Sequence, residues 1–329
     1  MIALFSYRAH RPYLPLKVRL LLLTALSWSV GVAWAQRSEP QVASSQMRIA
    51  QDLELIRIAE QEHRPDAEQG ALWAHLASQY HYAAEFSKAE DAYYKSLHLL
   101  KNAPTARARY AATLENLAAL YLIYGRVDDA ERVRKQALAM REQLGDPSDI
   151  GLSHVHLADV AMMRHDFKKA ERLALRGMEE MESSSNPPRE GMLSGLTVLS
   201  YARCFRGHSG EGLMSAQQTV AFADRNFPSN SAAVGFALET VGFAEWKSGA
   251  TQDAGKAMLD SIRILRTTLV PADPRLAGVL LQYGDYLIAT SRRTEAQEVY
   301  DEAERIIRQT VKPCAACTVS VYSLSKTLR

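Results

Sequence analysis

Only three cysteines occur among the 329 residues. That is too few for a disulfide-built mini-domain, and the two pairs that a zinc ribbon needs are missing. No surplus of one charge sign builds a field that would collect polyanions. The formal charge of +2 misleads, because Arg8, Arg11, Lys17 and Arg19 fall in the first 35 residues with no acid beside them. Taking those four from the 39 basic residues leaves 35 against 37 acidic ones, so nucleic acid is a poor partner. Phosphate-cradling loops of the G-x-x-x-x-G-K-[ST] or G-x-G-x-x-G kind are absent. After Ala35 no apolar run approaches the roughly 20 residues of a spanning helix. What is present is ordinary for a folded chain, 47% hydrophobic and 23% charged.

The amino terminus reads as an address. Four positive charges precede Leu20 to Ala35, LLLLTALSWSVGVAWA, which ends in the small-x-small pattern Ala33-Trp34-Ala35. Residues 1–35 are therefore expected to be a secretory signal cleaved after Ala35, leaving an exported protein, periplasmic or secreted. The alternative is a retained anchor.

The remainder is periodic. Small residues preceded by an apolar one fall at Ala77, Ala118, Ala158, Ser200, Gly242 and Gly284, at spacings of 41, 40, 42, 42 and 42. A second small column follows at Ala89, Ala130, Ala170, Gly212, Ala254 and Ala296. Polar turns such as YGRVDDA and RHDFKKA separate the columns, and apolar residues on both sides recur at i, i+3, i+4 and i+7. Each copy thus predicts two helices that close on each other at small residues, and a fixed period of this size indicates a solenoid.

These residues resemble the tetratricopeptide (TPR) repeat, and the spacing near 42 resembles the kinesin-light-chain-like subclass. The segment ALAMREQLGDPSDIGLSHVHLA over 137–158, a long second helix ending in a Leu-Gly turn with Asp-Pro, carries the same likeness. The resemblance implies an all-α, right-handed solenoid of about six helix hairpins over residues 70–308. It also implies a concave face that binds other proteins, with neither enzymatic activity nor a cofactor. Residues 36–69 are expected to supply a linker and a capping helix, with Ile49, Leu53, Ile56 and Ala59 on one stripe. Residues 309–329 form a tail.

Carried onto this chain, the family's concave positions include Glu115, Asp159, Met162, Met163, Tyr201, Phe205, Phe236, Glu239, Phe243, Trp246 and Asp285. Lys247 is the one cation among the transferred positions, which disfavours capture of a terminal carboxylate. The five aromatics suggest apolar anchors, Met162 and Met163 an adaptable surface, and the acids a partner segment with basic flanks. The alternative is that these side chains pack between repeats. His154 and His156 are two apart and face different ways on a helix, so they do not form a chelating pair. Cys314-x-x-Cys317 reads as a local disulfide; as a thiol-exchange pair it would make the chain an extracytoplasmic redox accessory.

Overall fold

A computed structural model describes residues 41–310. The leader expected at 1–35 and the pair Cys314 and Cys317 lie outside the described residues. Within them the chain is an all-α solenoid, with thirteen helices and no strand. Helix α1 spans Gln41–Gln61. Six hairpins follow: α2 (Asp66–Tyr82) with α3 (Phe86–Leu100), α4 (Arg107–Ile123) with α5 (Val127–Leu144), and α6 (Pro147–Met163) with α7 (Phe167–Glu182). Then come α8 (Arg189–Phe205) with α9 (Ser209–Asn226), α10 (Ala232–Ser248) with α11 (Thr251–Thr268), and α12 (Pro274–Ala289) with α13 (Arg293–Thr310). The second helix of each hairpin packs on the first helix of the next, and the first helices also touch one another in series.

The small columns lie where the helices cross. Ser200 Oγ donates to the Gly212 carbonyl at 2.9 Å, and a Cβ on Gly242 would sit 3.1 Å from the Ala254 carbonyl oxygen. One turn-pair further from the bend is a second crossing, closest in the third hairpin. There a Cβ on Gly177 would fall 2.5 Å from the carbonyl oxygen of Gly151. The same level brings Ser96 Oγ to the Gly70 carbonyl at 2.7 Å. Crossings this close leave room for at most a methyl or a hydroxymethyl group, and at Gly177 for a hydrogen alone.

All six bends share one corner. A left-handed residue stands at Ala84, Gly125, His165, Gly207, Gly249 and Ser291, with φ between 58° and 94°. The next amide in each case reaches back five residues, as in Arg126 N to Tyr121 O at 2.8 Å and Arg292 N to Leu287 O at 2.8 Å. This is the capping pattern that glycine favours. Three of the six corners nonetheless carry a side chain, at a cost of about 1–2 kcal/mol each. Both Asp-Pro turns open helices: Asp146 Oδ1 accepts from Ser148 N at 2.8 Å, and Asp273 Oδ1 from Arg275 N at 2.9 Å.

First helices are apolar almost all round because they are enclosed on several sides; in α6 every residue from Ser153 to Met163 is buried. Second helices bury one stripe. Helix α1 covers the first hairpin through Ile49, Ile56 and Ala59, which sit over α2. Leu53 departs from the expected stripe and is 43% exposed, while Asp52 takes the inward place and meets His75 Nδ1 at 2.8 Å. The stripe runs 49, 52, 56, 59, which is the truer helical spacing.

Candidate functional site

Two of the proposed acids sit in a buried charge network between the second and third hairpins. Glu115 on α4 accepts from Ser153 Oγ at 2.9 Å and meets His156 Nδ1 at 2.8 Å, both on α6. Arg141 on α5 donates to Ser153 Oγ at 2.9 Å and stands 3.6 Å from Glu115. Arg134, fully buried on the same helix, lies 3.6 Å from Glu115 and 3.5 Å from Asp159, and donates to the His156 carbonyl. Burial alone would raise the Glu115 carboxyl, but His156, Arg141 and Arg134 outweigh it and hold it down at about 2. Asp159 keeps one arginine contact only, and burial pushes it up to about 7. His156 is lowered by burial against the pull of Glu115.

Further along, the inner helices are joined by rings. Phe167 at the start of α7 stacks on Phe205 of α8 at 4.9 Å, and Phe205 meets Phe243 of α10 at 5.3 Å. Tyr201 meets Phe243 at 4.7 Å. The series continues edge-on from Phe243 to Trp246 and from Trp246 to Tyr286 of α12, each at 6.2 Å. These spacings are in the favourable range for aromatic pairs. Phe243 is buried, whereas Phe205 and Trp246 are half-buried at the ends of their helices, and the exposed Lys247 places its ammonium 4.2 Å over Trp246.

Tyr201 also has a polar role. Its Oη donates to the Glu239 carboxyl on α10 and accepts from Gln282 Nε2 on α12 at 3.2 Å. No cation stands beside Glu239; burial raises its carboxyl to about 8, with only the Tyr201 hydrogen bond opposing. Burial therefore favours the protonated form of this carboxyl.

The residues proposed for the concave face therefore divide. Tyr201, Phe205, Phe243 and Trp246 are brought together, while Phe236 lies elsewhere, with the Arg275 guanidinium 5.7 Å from its ring. Met162 and Met163 are buried in the packing between hairpins. Glu115, Asp159 and Glu239 are 0–4% exposed and engaged by side chains of this chain, which corrects the expectation that they wait for basic flanks of a partner. Asp285 accepts from Tyr300 Oη at 2.5 Å. His154 and His156 do meet different partners, His154 Nδ1 taking Glu180 at 2.5 Å. Sequence reasoning passed over Arg134 and Arg141, although they share a stripe with Ala130 and Ala137, and over Phe167 and Tyr286 as members of the ring series. Among the described residues no group of three or more His, Cys, Asp or Glu side chains is placed to hold a metal, and no helix is long and apolar enough to cross a membrane.

No family model matches the chain, and no characterised protein matches it by sequence. Solved structures do match. The apo form of RapI superposes with a TM-score of 0.64 at 15% identity, covering 82% of this chain and 97% of that one. Aspartyl phosphate phosphatase F from Bacillus subtilis gives 0.63 at 13% identity, over 80% and 68% of the two chains. NprR in complex with its cognate peptide NprX gives 0.54 at 16% identity, over 89% and 85%. At these identities the likeness concerns the fold, and it agrees with the hairpin period and the small-residue crossings. The fold is thus an all-α solenoid of helix hairpins, the architecture that the resemblance to the tetratricopeptide repeat implied.

Proposed function

We propose that this protein is an exported, non-enzymatic scaffold whose concave face takes a segment of a partner polypeptide. The observation that carries the reading is the series of rings across the third to sixth hairpins, which reaches the surface at Phe205 and Trp246. Aromatic side chains half-buried beside a packed ring layer are pre-ordered, so a partner's apolar side chain meets them at little entropic cost. Burying one large apolar side chain contributes roughly 1.5–3 kcal/mol, and two or three such anchors reach micromolar affinity. Lys247 and Asp285 border this stretch and supply charge of both signs. NprR, of similar fold, was solved with a peptide bound, which supports a polypeptide as the partner class here.

Export rests on the basic, then apolar, leader ending at Ala35. The binding test is crosslinking capture from the exported fraction, comparing wild type with a Phe205→Ala, Trp246→Ala double variant whose helicity is checked by circular dichroism. Loss of the captured partner in a folded variant supports the proposal, and undiminished capture refutes it. Export is tested separately by sequencing the amino terminus of the mature protein, which should begin at Gln36.

A further inference from the structure

Repeats in a solenoid normally contact only their immediate neighbours. Tyr201 does otherwise. From the fourth hairpin its hydroxyl reaches the fifth through Glu239 and the sixth through Gln282, 81 positions along the chain. One phenol oxygen thus ties three successive inner helices, and their separation is fixed only while both bonds hold.

We propose that Tyr201, Glu239 and Gln282 form a clasp that sets the pitch of the last three hairpins, and that ionising Glu239 loosens it by leaving in the core a charge that the Tyr201 hydroxyl alone stabilises. An ionised carboxylate at this place has no cation to meet. On α8 the nearby titratable groups are Tyr201 itself and Cys204, whose thiol burial pushes up to about 11. Lys247 and Glu245 belong to the far end of α10, where Lys247 covers Trp246 and Glu245 faces Asp253 of α11. At the other end, Arg275 of α12 lies over Phe236 and is paired with Asp273 at 2.6 Å. Asp285 of α12 is bonded to Tyr300. The buried residues of α9 and α11 are all uncharged. A charge on Glu239 must therefore be solvated by water, and water enters only if α8, α10 and α12 part. Burial already holds the carboxyl at about 8, so the change falls in mildly alkaline solution.

The test uses the full chain at pH 6.5 and pH 9.5, with X-ray scattering for the radius of gyration and hydrogen exchange corrected for its intrinsic pH dependence. Wild type should expand at pH 9.5, with exchange in α8, α10 and α12 faster by about tenfold and α4–α6 unchanged. Glu239→Gln should stay closed at both pH values. Gln282→Leu, which removes only the outer arm, should already exchange about tenfold faster in α12 at pH 6.5. If wild type keeps its dimensions and exchange at pH 9.5, or Glu239→Gln expands as much as wild type, the clasp is wrong. Exchange in α12 of Gln282→Leu equal to wild type also overturns it.

Discussion

Between the second and third hairpins two arginines, a glutamate, an aspartate and a histidine are buried together; between the fourth and sixth, one glutamate is buried with a phenol and an amide. The outer edge shows the same division. Glu90, Glu131 and Glu171 occupy one repeat position and each pairs with an arginine of the following hairpin: Arg126 at 3.2 Å, Arg164 at 2.6 Å, and Arg203 at 3.0 Å with Arg206 beside it. In the next two copies that position is Leu213 and Gly255, and the Tyr286 ring lies over Gly255 with its hydroxyl on the Thr251 carbonyl at 2.9 Å. At this repeat position the joint is thus held by charge in the first half and by uncharged packing in the second. Buried ion pairs demand that every partner be present, whereas ring contacts degrade one at a time.

That contrast is open to measurement. The largest effect is expected at Arg134, because removing it takes the one arginine from buried Asp159 and one of two from buried Glu115. Arg134→Met should cost about 3–5 kcal/mol in urea unfolding at pH 7, and a loss below about 1 kcal/mol would show the network to be dispensable.

The two halves should also answer pH in opposite senses. Glu115 has its folded value below the ordinary 4.5, so its contribution is present above 4.5 and is lost as pH falls towards 2. Glu239 has its folded value above 4.5, so its contribution is complete below 4.5 and declines as pH rises towards 8. Urea midpoints across pH 3 to 9 should show Glu115→Gln flattening the acid limb and Glu239→Gln the neutral-to-alkaline one. Identical limbs in both variants and wild type would contradict the assignment.

A smaller loss, about 1–3 kcal/mol, is expected for Gly177→Ala, whose new methyl collides with the Gly151 carbonyl and forces the third hairpin apart. Alanine at Gly210, where an added methyl meets nothing beyond its own helix within 4 Å, is the control and should leave the thermal midpoint unmoved or slightly raised. The smallest effect is a gain. Ser291→Gly relieves a left-handed corner and should add about 1 kcal/mol, seen as a raised thermal midpoint.

The backbone plan was legible from the residues because close approach admits so few of them. Ala118 and Ala130, or Gly242 and Ala254, mark a crossing wherever they recur, whatever surrounds them. Side-chain pairing was harder to see. Glu115 and Asp159 sit at positions that the resemblance assigned to a groove, and the arginines of α5, with Ser153 and His156 of α6 at Glu115, hold them inside. Those arginines announced themselves weakly, by sharing the 130, 134, 137, 141 stripe with core alanines. Phe236 was grouped with Phe243 by its repeat position and its ring, yet it stands near the opposite end of α10 and meets a different neighbour.

Because every bend is closed by the same left-handed corner, differences in spacing between copies must be taken up elsewhere. The joints from one hairpin to the next do this: the chain crosses at 145–146 in a single tight step, but takes the longer routes 101–106, 183–188, 227–231 and 269–273 at the others. Inserted or deleted residues are thus absorbed at these joints without disturbing any helix pair, and a tag or cleavage site placed at 183–188 meets the least resistance from the architecture around it.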